Sequence, residues 1–392
     1  MPQNWKTYKL DDIVTKLGDG LHGTPKYVEN GEYAFINGNN LQEGRINIKP
    51  ETKRVDESQF LKYQKELNDR TILISINGTL GRLAYYHGEK VVLGKSACYF
   101  NIKNDVDKRF VGYSLTTTDF RSYLENTATG SVIKNVPLKA MREYPIVLPP
   151  LPEQQAIAEI LSSLDDKIEL NLQMNKTLEE MAMTLYKHWF VDFGPFKEGE
   201  FIDSELRLIP EGWEVSTFDT MLTLQRGFDL PSKKRIVGKY PVFAASGRST
   251  YHNEMKVKGP GITTGRSGVL GKVFFIHEDF WPLNTALWVK NFRNSSPYHA
   301  YGLLNSIDLK EFNSGSAVPT LNRNDVHRQM LVIPPISIIN KYDKEVSTLF
   351  EMQYSNYNEN QTLTNLRDTL LPKLISGEVR VKDVERTVAE VL

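Results

Sequence analysis

Arginine, asparagine, lysine, serine and threonine gather in a few glycine-rich stretches that read as loops. In the first half these are Gly18 to Tyr27, carrying His22, Thr24 and Lys26, and Asn37-Gly38-Asn39-Asn40, carrying Asn39. In the second half they are Arg226 to Arg235, with Arg226, Lys233 and Lys234, then Ser246 to His252, with Arg248, and Thr264 to Gly268, with Arg266. An arginine fork matches the edge of guanine and an asparagine amide that of adenine, while lysine, serine and threonine suit phosphate oxygens. One such loop is an ordinary solvated turn. Several together, in two basic regions, make these nine residues candidates for contact with double-stranded DNA.

Motifs for covalent chemistry are missing. Gly88-Glu89-Lys90-Val91-Val92-Leu93-Gly94-Lys95-Ser96 comes nearest to a phosphate loop, but five residues separate its glycines instead of four, and it runs through a strand-like segment. No Asn/Asp-Pro-Pro-aromatic run of an amino-methyltransferase and no Gly-x-Ser-x-Gly elbow occurs. The seven histidines are scattered without zinc spacing, and the single cysteine, Cys98, rules out an intramolecular disulfide. The expectation is no catalytic residue, no metal site and no bound cofactor.

The loops need elements to hold them, and the chain of 392 residues supplies these twice. Gly130-Ser131-Val132 to Leu138 is echoed by Gly315-Ser316-Ala317 to Asn322, and Pro149-Pro150 by Pro334-Pro335, at one offset of 185. Gly78-Thr79-Leu80-Gly81-Arg82 matches Gly268-Val269-Leu270-Gly271-Lys272 at offset 190, with Trp5 and Trp213 opening the two copies. Each copy begins with a strand-rich globular part, including Thr71 to Ile76 in one and Lys272 to Ile276 in the other. The fold class is therefore α+β, with a pseudo-twofold internal repeat.

A long helix follows each globular part. Ile157, Leu161, Leu164, Ile168, Asn171, Asn175, Leu178, Ala182, Leu185 and Trp189 recur at spacings of four and three, as a coiled-coil seam does, and Tyr342, Val346, Leu349, Gln353, Asn356, Asn360, Leu363, Arg367, Leu370 and Leu374 repeat the pattern. A helix from 152 to 190 would be roughly 60 Å long and needs a partner for its apolar stripe. In an antiparallel pair Asn171 faces Asn360, Asn175 faces Asn356, Ile168 meets Leu363 and Ile157 meets Leu374. Buried asparagines at such positions fix register at some cost in stability. Pro372 is expected to end or kink the second helix.

The domain scheme is a first globular part at 1–150, a helical spacer at 151–190, a linker at 191–212, a second globular part at 213–335, a second spacer at 336–376 and a tail at 377–392. Charge follows this scheme. The formal net charge is zero, from 48 basic and 48 acidic residues, but 1–150, 151–201, 202–335 and 336–392 carry +4, −6, +4 and −2. Two basic globular parts are cancelled by two acidic helical ones, so the neutral sum does not argue against a nucleic-acid partner. No signal peptide or membrane-spanning run is present, and a cytoplasmic protein is expected.

The order of these motifs, namely a globular part, Pro149-Pro150-Leu151-Pro152-Glu153-Gln154 with a long helix, "LIPEGWEV" at 208–215, a second globular part and "VIPP" at 332–335 with a second helix, resembles the specificity subunit of type I restriction-modification enzymes (HsdS). The resemblance spans essentially the whole chain and departs after the second Pro-Pro, where Ile336-Ser337-Ile338-Ile339 replaces Leu-Pro-Glu-Gln. It implies two target recognition domains that read the halves of a bipartite DNA site, spaced by an antiparallel coiled coil. It also implies docking of two modification (methyltransferase) subunits, with restriction subunits joining, so that S-adenosylmethionine, ATP and Mg belong to partners and this chain is non-catalytic. Two alternatives stand beside it: a fused restriction-methylation enzyme with catalysis in cis, and a coiled-coil adaptor without a DNA role.

Overall fold

The computed structural model describes residues 2–130, 132–315 and 317–391; Ser131 and Ser316 of the repeated glycine-serine motif lie outside the described residues. Two compact units emerge, one formed by 1–169 with 359–392 and the other by 170–358. Their boundaries cut both long helices, Leu151–Tyr186 and Ile336–Ser376, so each unit owns a stretch of each helix.

In unit 1 a four-stranded antiparallel sheet runs in the order Val14–Asp19, Ala97–Ile102, Thr71–Ser75, Leu83–Tyr85. The two central strands, rich in β-branched and aromatic residues, are buried along their whole length. A second sheet pairs Tyr33–Ile36 with Arg54–Val55 and, in parallel, with Val91–Leu93. The helices after the sheet begin at good caps: Asp107 accepts from the Phe110 N–H at 2.8 Å, and Thr117 caps Thr118–Thr127. Phe100, Phe110 and Phe120 share one core with Ile157, Leu161 and Leu164 of the first long helix and Leu363, Leu370 and Leu374 of the second.

Unit 2 repeats this order. Its four-stranded sheet is Thr223–Arg226, Ala286–Asn291, Gly261–Gly265, Val273–Ile276, and its second sheet pairs Tyr240–Ala244 with Gly247–His252 and, in parallel, with Trp281–Pro282. The core is more aromatic: Tyr186, Trp189, Phe190, Trp213, Tyr342 and Phe350 share it with Ala300, Tyr301, Leu303 and Leu304 of the helix Pro297–Ser306. His299 lies inside it against Phe190, with ring centroids 4.7 Å apart, and burial lowers its pKa to about 3. His277 stacks on Tyr354 and burial lowers its pKa to about 4.

The helices pair antiparallel in both units. In unit 1, Asp165 receives the Arg367 guanidinium at 2.6 Å, Lys167 meets Glu359 at 3.3 Å, and the Asn360 amide donates to the Ile168 carbonyl at 3.2 Å. In unit 2 the Asn356 amide donates to Asn175 Oδ1 at 2.9 Å, and Gln353 donates to the Asn175 carbonyl at 2.9 Å. Asn171 is buried, as are Ile157, Leu164, Leu363 and Leu370, while Ile168 is half-buried.

Three expected features gain detail. Pro372 does not end the second helix, which runs on to Ser376. The ring sits on the exposed side one turn before the helix end, while Leu370 and Leu374 are held in the core, so packing outweighs one lost backbone hydrogen bond. The tail at 377–392 is structured: Val381–Ala389 is helical, Val384 and Val388 enter the unit 1 core, and Arg380 pairs with Glu153 at 2.5 Å. The stretch 191–212 is likewise more than a linker, because Phe193 and Ile209 are core residues of unit 2 and Phe201–Ile202 pairs with Ile209–Pro210.

Candidate nucleic-acid interface

At one end of each four-stranded sheet, loops are tied to one another by backbone hydrogen bonds. In unit 2 the Phe228 N–H donates to the Pro282 carbonyl, Leu283 to Phe243, Arg266 to Thr285 and Gly268 to Pro319. In unit 1 the matching donors and acceptors are Leu21 to Leu93, Gly94 to Ile36, Ile76 to Ser96 and Gly78 to Lys134. The approach is too close for side chains: a Cβ on Gly20 would lie 2.2 Å from the Leu93 carbonyl oxygen, and one on Gly227 would lie 2.3 Å from that of Leu283. Gly78 and Gly268 both have positive φ, 75° and 94°, which explains their shared place in the repeat.

On this frame unit 2 assembles a polar cluster. Asp229 Oδ1 accepts from Arg226 Nη2 at 3.1 Å and closely from the Asn284 amide. Arg266 Nη1 donates to the Asn284 carbonyl at 3.0 Å. Arg226 and Arg266, 40 residues apart in sequence, are therefore linked through Asp229 and Asn284. Lys233 and Lys234 stand exposed on the short turn Ser232–Lys234.

Arg248 is placed elsewhere. The stretch expected as a loop is the strand Gly247–His252, hairpinned onto Tyr240–Ala244. Its guanidinium lies 4.4 Å from the Tyr357 ring centroid on the second long helix and donates to Tyr251 Oη at 2.9 Å. Stacking and a hydrogen bond hold it as a brace between sheet and helix.

Unit 1 carries different groups. His22 Nε2 lies 2.6 Å from Asp19 Oδ2, and Thr24 and Lys26 are exposed beyond it. Asn39 projects from the turn Gly38–Asn40, whose base is set by Ser96 Oγ, which receives the Gly38 N–H at 2.8 Å and donates to Asn37 Oδ1 at 3.0 Å. Asn77 donates to Asn135 Oδ1 at 3.3 Å across the neighbouring loops. Asp229, Asn284 and Asn77 escaped the sequence reading. Asp229 had a usable signal, an acid three residues after Arg226 in a basic loop, whereas Asn284 follows a buried strand and carries none.

Among the described residues no cluster of three or more His, Cys, Asp or Glu side chains could hold a metal ion, and no helix is long and apolar enough to cross a membrane. Cys98 is buried within its strand, and burial pushes its thiol pKa well up.

Comparison with known proteins agrees with this architecture. The type I restriction enzyme MjaIX specificity subunit of Methanocaldococcus jannaschii is 29% identical over 98% of this chain and 95% of that protein. The type I restriction enzyme HindI specificity subunit of Haemophilus influenzae is 24% identical over 67% of this chain and 75% of its own length. The crystal structure of the type I restriction-modification S subunit from M. genitalium shares the fold, with a TM-score of 0.59 at 19% identity over 95% of this chain and 96% of that one. The family model described as the type I restriction modification DNA specificity domain matches residues 2–180 and 210–365, so the chain belongs to the type I restriction-modification DNA specificity family.

Proposed function

We propose that this chain is the DNA-reading subunit of a type I restriction-modification complex and has no catalytic role of its own. Each globular part reads one half of a bipartite double-stranded site. The paired helices set the spacing between the halves and dock two modification subunits, with restriction subunits joining the larger assembly. S-adenosylmethionine, ATP and Mg are then bound by those partners, and the complex works in the cytoplasm. The observation that carries the reading is the repeated loop frame, which offers different polar side chains in the two units on the same backbone hydrogen bonds. Such a frame suits a reader whose two halves recognise different sequences.

The proposed contacts are His22, Thr24, Lys26 and Asn39 in unit 1, and Arg226, Lys233, Lys234 and Arg266 in unit 2. Arg248 acts through its position against Tyr357 instead. Methylome sequencing of the host with and without this gene tests the reading: a split motif methylated only with the gene is expected. Arg266→Ala should relax one half of that motif and leave the other, while equal loss in both halves would sink the assignment of units to half-sites.

A further inference from the structure

Arg226 and Asp229 stand three residues apart where the strand Thr223–Arg226 gives way to its loop, both with exposed side chains. Their contact is part of a larger arrangement than a surface ion pair. Asp229 Oδ1 also receives the Asn284 amide, and the backbone of Asn284 is held by Arg266. The carboxylate is thereby fixed from two sides, and it fixes Arg226 in turn. Its other oxygen, Oδ2, has no hydrogen bond among the described residues, and the Arg226 guanidinium uses one of its five N–H donors there.

We infer that Arg226 and Asp229 together read one G·C base pair from the major groove, with Asn284 as the positioning residue. The free donors of Arg226 match the O6 and N7 acceptors of guanine, and Asp229 Oδ2 matches the N4 amino donor of the paired cytosine. An A·T pair offers an amino donor where the arginine needs an acceptor, so the same two side chains reject it. A phosphate is the poorer ligand, because the carboxylate beside the arginine would repel it while base edges accept either sign of partner. At the matching place unit 1 has a pair of reversed charge order, Asp19 before and His22 after Gly20 where unit 2 has Arg226 and Asp229 around Gly227, and so no arginine fork for the two acceptors of guanine. The G·C reading is thus confined to one half-site.

This inference rests on the DNA-reading function proposed above. The test uses the full chain assembled with the methyltransferase subunits of its host, offered a pool of randomised duplex DNA, with methylated sequences counted. The wild type is expected to require G·C at a position of one half-site. Arg226→Ala and Asp229→Ala should each weaken that requirement about ten- to a hundred-fold at that position. The double variant should weaken it no further than the larger single effect, since the two act as one reader. Continued selection of the other half-site shows that the variants are folded. Relaxation at two different positions, relaxation of both half-sites, or full retention of every G·C requirement overturns the pairing. A wild-type protein that selects no split motif overturns the DNA-reading function itself, which keeps the two failures apart.

Discussion

The loop frames of the two units differ in their side chains and hardly at all in their backbones. The donor at Leu21 in unit 1 is Phe228 in unit 2, and the close glycine is Gly20 in one and Gly227 in the other. Where unit 1 has Ile76, unit 2 has Arg266, and both N–H groups donate to the strand connection opposite, at Ser96 and at Thr285. The hydrogen-bonded backbone needs only glycine where chains cross closely, so the remaining loop positions can take histidine, asparagine, aspartate or arginine without disturbing the sheet. Recognition chemistry is thereby separated from stability.

The sharpest way to break this comparison is to attack the shared frame. Gly20→Ala and Gly227→Ala each force a Cβ against a carbonyl oxygen and should cost about 3 kcal/mol or more in their own unit. Thermal unfolding followed unit by unit would show a loss in only one copy if the frames were not equivalent. Removal of residues 377–392 withdraws Val384 and Val388 from unit 1 and should lower its stability by about 3 kcal/mol. Hydrogen exchange should report faster opening in unit 1 and little change in unit 2.

Acid should separate the units in the opposite sense. His299 has a folded pKa of about 3 against an ordinary value near 6.5, so the unfolded chain binds a proton that the folded unit 2 refuses. The stabilising contribution is complete above pH 6.5 and falls as pH drops towards 3, by about 2 kcal/mol at pH 5. His277, also lowered by burial, adds in the same direction. Asp343, raised by burial, works the other way and blunts the effect. Tryptophan and amide signals of unit 2 should melt first on acidification, and His299→Gln should flatten the dependence. Asn356→Ala removes the hydrogen bond to Asn175 and should cost about 1 kcal/mol, with exchange of helix amides as the measure.

Much of this architecture was legible in the sequence because it is periodic or repeated. The offset of 185 carries the Pro-Pro pairs to the true helix starts, Leu151 and Ile336, and the three–four spacing identifies Ile157, Leu164 and Leu363 as buried. The Asn175–Asn356 contact follows from centring an antiparallel pair on the asparagines. What stayed hidden depends on partners distant in sequence. Arg248 resembles a loop arginine until the hairpin Gly247–His252 turns it towards Tyr357. The helix Val381–Ala389 is short and highly charged, and its apolar side is defined only by the core that receives it. Asn284 has a role because Asp229 and Arg266 fold onto it.

The division of both long helices between the units has a consequence for synthesis. Unit 2 is one continuous stretch, 170–358, whereas unit 1 needs 359–392 to cover Ile157, Leu161 and Leu164. At about 5–20 residues per second, those last segments leave the ribosome roughly 10–40 s after residue 169. The unit begun first is therefore closed last, and its half-built core must wait, apolar side open, while its neighbour is made.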